Sequence, residues 1–280
     1  MYKESKWAKE IISQQKPNGM WGDLHSLSEP SRKPITTEEA LRRLKILGYS
    51  AEDECIIRAL DYLNNCISDK TLIPERPEKL HNWDILTDMI LATWIRCFTR
   101  DNTLANEIAM NWARIINFAF ANGAYNHDAY ETAYGNTFAI KPKGGRLVDF
   151  VNFYQISLIA DCLNAGIEEM VVDYIMSRNG IYYVYNDFLF ALPSNFMSKQ
   201  ASHYLAAIEL MAAYQRSKHK LYFVVDWLNG CKNERGVWDM GAKAKDGIYF
   251  PLSDSWRSKT AREADCTYRV QKLIDKITGE

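Results

Sequence analysis

The chain has 280 residues, room for one large domain or two average ones, and its 47% apolar content excludes intrinsic disorder. Its 34 Lys and Arg balance 35 Asp and Glu, so a nucleic-acid partner held by bulk charge is not expected. Aromatic residues reach 12%, from 8 Trp, 16 Tyr and 11 Phe.

The start, Met1-Tyr2-Lys3-Glu4-Ser5-Lys6, has no apolar run behind it, so no secretory signal is expected. No stretch approaches the roughly 18 apolar residues of a membrane-spanning helix. Cys55, Cys66, Cys97, Cys162, Cys231 and Cys266 contain no Cys-x-x-Cys pair. They read as buried free thiols of a cytoplasmic protein, with no metal and no cofactor expected.

In chain order, apolar periodicity predicts helices over about 3–15, 37–47, 53–66, 84–98, 103–121, 147–164, 167–178, 199–215, 219–231 and 261–277. Thr36-Thr37-Glu38-Glu39 opens the second like a capping box. Helices 84–98, 147–164 and 199–215 are apolar nearly all round, as buried helices are. Their partners are amphipathic, which suggests two concentric layers. Residues 37–47 depart from this, because Glu38, Glu39, Arg42, Arg43 and Lys45 make that inner helix amphipathic. The links at 48–52, 99–102, 165–166 and 216–218 are short, and those at 16–36, 67–83, 122–146, 179–198 and 232–259 are long. In an antiparallel stack the long ones share one end, where function usually concentrates. Roughly sixteen of the rings fall in these long links. Two loosely alternating runs, Ile181 to Tyr185 and Phe188 to Leu192, predict a small β-hairpin around Asn186-Asp187.

A short phrase recurs after the outer helices. It reads Asn18-Gly19-Met20-Trp21, Asn122-Gly123-Ala124-Tyr125, Asn179-Gly180-Ile181-Tyr182 and Arg235-Gly236-Val237-Trp238, with glycines 104, 57 and 56 residues apart. A degraded copy near Asn64-Asn65 fills the long gap, giving about five helix pairs in one domain over 1–280. Gln15-Lys16-Pro17-Asn18-Gly19-Met20-Trp21, with Arg235-Gly236-Val237-Trp238-Asp239 as a partial second copy, resembles the repeat of the α/α-toroid superfamily of terpenoid (squalene-type) cyclases and protein prenyltransferases. That resemblance implies an all-α fold, an α/α toroid of two concentric layers with long loops at one end. It implies an isoprenoid or other apolar ligand in an aromatic-lined central cavity, and a homo-oligomer or a partner subunit. The family's Asp-x-Asp-Asp acid and its Asp-Asp-x-x-Asp magnesium motif are missing here, and Asp161-Cys162, Asp265-Cys266 and His203 lack the zinc spacing.

The starts of the inner helices carry the candidate chemistry. Asp84, Asp149, His203, Glu263 and Asp265 are the candidate catalytic groups, Glu263 and Asp265 as an acid pair if buried. Arg146, His203 and Arg262 suit an anion beside a helix start, where cations are otherwise disfavoured. Trp83, Tyr130, Tyr134, Tyr183 and Trp256 complete the candidate ligand-binding set. Ring faces suit an isoprenoid and a sugar equally. A carbohydrate-active toroid, a polysaccharide lyase or glycoside hydrolase, therefore stands beside the first reading, with His127, Tyr130 and Arg146 as its base, acid and carboxylate clamp. A catalytically silent toroid used as a binding module is the third reading.

Overall fold

Most helix starts in the chain carry their own cap. In a computed structural model, which describes residues 2–25, 34–77, 79, 81–142 and 150–279, eleven α-helices form among the described residues. They are α1 (Lys6–Ser13), α2 (Thr37–Ile46), α3 (Glu54–Ser68), α4 (Trp83–Phe98), α5 (Thr103–Ala119), α6 (His127–Phe138), α7 (Phe153–Ile159), α8 (Ala165–Ser177), α9 (Lys199–Met211), α10 (Tyr222–Gly230) and α11 (Lys259–Thr278). Ser5, Asn152, Ser198 and Ser258 each accept the amide of the residue three positions on. Thr36 and Glu39 form the full capping box expected at α2. No strand forms among the described residues, so the fold is all-α. Nor is any described helix long and apolar enough to cross a membrane.

The chain divides into two compact units, one of residues 1–112 with 134–147 and the other of 113–133 with 148–280. In the first, α1 packs on α2, α3 on α4, and α2 on α4. The largely apolar α4 is buried through Leu86, Thr87 and the run from Met89 to Arg96. Amphipathic α2 also sinks charge: Glu38 and Arg43 are buried, and Glu38 accepts from Arg42 at 2.6 Å. In the second unit α7 packs on α9 and α10 on α11, and Tyr204 to Ile208 of α9 are buried.

The four phrase glycines all take left-handed backbone: φ is +92° at Gly19, +89° at Gly123, +85° at Gly180 and +73° at Gly236. This is the conformation that turns a chain off a helix end, and glycine adopts it without a Cβ clash. The first and last phrases are the same construction. Trp21 donates its indole N–H to Ile11 at 2.7 Å, and Trp238 donates to Leu228 at 2.6 Å, each carbonyl ten residues back in the last turn of the helix. Their backbone amides donate to Thr37 and Thr267 hydroxyls at 3.1 and 3.2 Å. Gln15 serves the first copy by donating to the Gly19 and Cys55 carbonyls.

Three elements differ from expectation. Residues 127–138, read as part of a loop, form α6. Asn126 accepts the Ala129 amide to start it, and Tyr130, Tyr134 and Phe138 recur every fourth residue along it. Of the helix expected over 147–164, the described residues from 150 on form only α7, because Asn152 is extended and bridged to Tyr182; residues 147–149 lie outside the described residues. The hairpin around Asn186-Asp187 does not form. The chain reverses earlier, through a bridge between Ile181 and Tyr185, because Tyr183 itself takes φ +71°.

Two alanine substitutions separate conformation from space. A Cβ on Gly19 would lie 2.1 Å from the Arg58 carbonyl oxygen, whereas one on Gly236 meets nothing within 4 Å. Gly236→Ala then costs about 1 kcal/mol of backbone strain, while Gly19→Ala costs on the order of 3 kcal/mol or more. Urea denaturation of both variants measures the gap; equal losses would refute it.

Candidate functional site

Several of the sequence-chosen charges hold loops. α11 begins about two turns before Thr267, and those turns tie down the segment between α10 and α11. Arg262 donates to both oxygens of Asp239, at 2.6 and 2.8 Å. Glu263 is buried and accepts from Asn233 at 3.0 Å and from Arg235. Asp265 is fully buried, and one of its oxygens accepts from the Leu252 and Ser253 amides, the Ser253 hydroxyl and the Trp256 indole at 2.6–2.9 Å. Glu263 and Asp265 are two residues apart on one helix and serve different partners. Arg262 holds the Asp239 carboxyl below the usual range, against the opposing effect of burial. Burial pushes the Cys266 thiol up to about 12, which makes it inert as a thiolate.

In the first unit Asp84 is exposed in the first turn of α4, and Trp83 is half-buried with its ring 5.9 Å from His25. Asp88, one turn on, was not among the sequence candidates. Burial raises it above the usual carboxylate range although Lys70 pairs with it at 2.5 Å, and Asp84 adds to the rise. His25 meets Glu75 at 3.2 Å, and both side chains are largely buried. Tyr134 packs on Trp112 and Phe138, and its hydroxyl accepts from Asn82 at 3.0 Å. In the second unit Tyr130 is buried and its hydroxyl accepts from Gln155 at 2.9 Å, so it does not present an acid to solvent. His127 is exposed and meets the Tyr125 hydroxyl at 3.0 Å. Arg146 and Asp149 lie outside the described residues.

In the second unit a single backbone contact links the segment of one candidate, Tyr183, to another, His203, at the start of α9. His203 is half-exposed; its Nδ1 meets the Val184 carbonyl at 3.2 Å, and its Nε2 lies 4.0 Å from Asp246. A carbonyl only accepts, so this contact is made with the proton on Nδ1, while Nε2 faces the Asp246 carboxylate. Tyr183, one residue before Val184, is 37% exposed, and Tyr182, at 59%, sits with its ring centroid 4.1 Å away. Left-handed backbone at a bulky residue such as Tyr183 is strained and concentrates at functional sites.

Sequence reasoning missed what stands behind His203. Asp246 is buried; one oxygen accepts the amides of Ile248, Tyr249 and Phe250, and the other accepts from Ser202 at 2.8 Å. Buried Arg269 donates to Glu209 at 2.7 Å and to the Ser202 hydroxyl at 2.9 Å, with its guanidinium 4.6 Å from the Tyr249 ring centroid. The signals were present: Asp246-Gly247 is a turn pair, and Glu209 is a lone carboxylate on an apolar helix, which needs a cation.

The Asp239–Arg262 pair gives a test with a definite sign. The folded carboxyl titrates below the unfolded one, so the stabilisation is complete above the unfolded range and is lost as pH falls through the depressed folded value. Asp239→Ala therefore destabilises by about 3 kcal/mol at neutral pH, leaving Arg262 unpaired. The difference from the parent chain narrows toward about pH 3 and below in denaturant titrations. A difference constant across that range would remove the pair as its source.

Comparison with known proteins finds no matching family model, no similar curated protein and no similar solved structure.

Proposed function

We propose that the chain is a ligand-binding module of the α/α-toroid kind, with its site at Tyr182, Tyr183 and His203, and that the ligand is a saccharide. The helix-pair reading is supported by the packing of α1 on α2, α3 on α4 and α10 on α11, and by inner-to-inner contacts of α2 with α4 and α7 with α9. The observation that carries the function is the strained, part-exposed Tyr183, one residue before the Val184 carbonyl that meets the half-exposed imidazole of His203. A sugar offers an apolar C–H face to a ring and hydroxyls that both donate and accept to imidazole and phenol groups. Binding rather than catalysis is supported by the partners already held by Glu263, Asp265 and Arg262.

An isoprenoid ligand is the second reading. It rests on the resemblance of the repeat and on rings with no polar edge, Phe188 and Phe190, exposed in the same unit.

Thermal shift and calorimetry with neutral oligosaccharides, uronate oligosaccharides and farnesyl diphosphate separate these readings. Saccharide stabilises the chain, and Tyr183→Ala and His203→Ala each weaken binding by about tenfold or more. Stabilisation by farnesyl diphosphate alone, or undiminished saccharide binding in both variants, would defeat the saccharide site. Strain at position 183 has its own readout: Tyr183→Gly is more stable than Tyr183→Ala by about 1 kcal/mol, because glycine takes positive φ freely.

A further inference from the structure

The buried charges behind His203 do not cancel. Glu209 and Asp246 each bring a carboxylate, and the field of both falls on the single guanidinium of Arg269. Glu209 takes that guanidinium directly, one oxygen accepting at 2.7 Å and the other at 3.3 Å. Asp246 receives neutral donors instead: the Ile248, Tyr249 and Phe250 amides at 2.7–3.1 Å and the Ser202 hydroxyl at 2.8 Å. Hydrogen bonds solvate a buried carboxylate but leave its charge in place, and a buried charge calls for an opposite one. Among the described residues, the basic side chain within 4.0 Å of Asp246 is His203. The Asp246 side chain is 3% exposed and that of His203 is 35% exposed, so the surplus negative charge approaches solvent at the imidazole.

The imidazole meets that charge at a distance. Its Nδ1 donates to the Val184 carbonyl, and its Nε2 stands 4.0 Å from the Asp246 oxygen, beyond the roughly 3.2 Å limit of a good hydrogen bond. With the proton on Nδ1, Nε2 and the carboxylate are two acceptors side by side. A ligand hydroxyl has one proton and serves one of them. A uronate carboxylate has none to give and is repelled by Asp246. A primary ammonium brings three N–H donors, no acceptor and a positive charge, which answers both acceptors and the surplus together. The carboxylate need not be exposed for this. Its attraction for a cation at Nε2 acts over several Å, and burial reduces the screening by water.

We infer that the ligand of this site is an amino sugar, held with its ammonium group against His203 Nε2 in the field of Asp246. The inference rests on the saccharide reading of the site at Tyr182, Tyr183 and His203. Calorimetry near neutral pH with β-1,4-linked trisaccharides of glucosamine, N-acetylglucosamine and glucose tests it, because the three differ at C2 alone, in an ammonium, an acetamide and a hydroxyl. The glucosamine trimer binds about tenfold or more tightly than the other two. Asp246→Asn, which keeps an oxygen for the three amides, brings the glucosamine trimer to within about twofold of the glucose trimer. His203→Phe, a change at a half-exposed position that keeps a ring and removes Nε2, does the same and serves should Asp246→Asn fold poorly. Glu234→Gln, at an exposed carboxylate in the same unit, leaves the preference intact. Three trimers that bind equally overturn the amino-sugar inference and leave the saccharide reading standing, whereas no binding by any saccharide defeats both. A preference for glucosamine that survives Asp246→Asn and His203→Phe, or that Glu234→Gln removes as readily, overturns the placement of the ammonium at this pair.

Discussion

The buried indole is the constraint from which the helix pairs follow. Trp21 and Trp238 are almost wholly inaccessible, and a buried N–H without a partner is costly. Each finds its partner in a carbonyl that a helix end leaves open, ten residues back. The chain can return over that distance only through a tight turn. The Lys16 amide bonds Met20 at 2.8 Å in one copy, and the Asn233 amide bonds Val237 at 2.9 Å in the other. Glycine at positive φ closes each turn. One residue type thus fixes where the preceding helix stops, and the backbone amide of the same Trp fixes the next helix through a threonine hydroxyl.

Where tyrosine replaces tryptophan in the phrase, the indole bond is gone and the ring is released. Tyr125 packs among Phe120, Phe150 and Tyr174 and meets His127 through its hydroxyl. Tyr182 loses its cover further, while its backbone is held by exchange with Val151 and Phe153. The turn after Gly180 is also tighter, since a Cβ there would lie 2.1 Å from the Tyr185 carbonyl. A fixed backbone under an exposed ring is a suitable base for recognition, because little freedom remains to be lost on binding. The candidate face thus occupies a relaxed copy of the structural repeat.

Features set by local chemistry were legible in the sequence. The phrase glycines, the Thr36–Glu39 box and the largely apolar α4 and α9 needed only neighbours within a few residues. α6 is hard to read although Tyr130, Tyr134 and Phe138 keep a helical spacing, because Asn126, Asp128 and Gly135 give the same stretch the composition of a loop. Tyr183 and His203 were named from sequence, but nothing local joined them; a single carbonyl at Val184 does so. Asp246, Arg269 and Glu209 were out of reach for the same reason. Their bonds span 44 to 67 positions, distances over which one sequence carries the need for a partner but not its identity.

That need explains why the support behind His203 is complete. Glu209 on an apolar helix requires a cation, and Arg269 answers it. A buried guanidinium has more donors than one carboxylate satisfies, so it also takes the hydroxyl and carbonyl of Ser202. The Ser202 hydroxyl donates to one oxygen of Asp246, and the other oxygen accepts the amides of Ile248, Tyr249 and Phe250. Two of those residues, Tyr249 and Phe250, place their rings against Arg269, which closes the circuit. Every link is both a bond and a position, so removing one leaves a buried charge or a buried donor unmet rather than a looser fit. His203 sits next to Ser202 on the rigid α9, and its imidazole inherits an orientation that its own contacts would not impose.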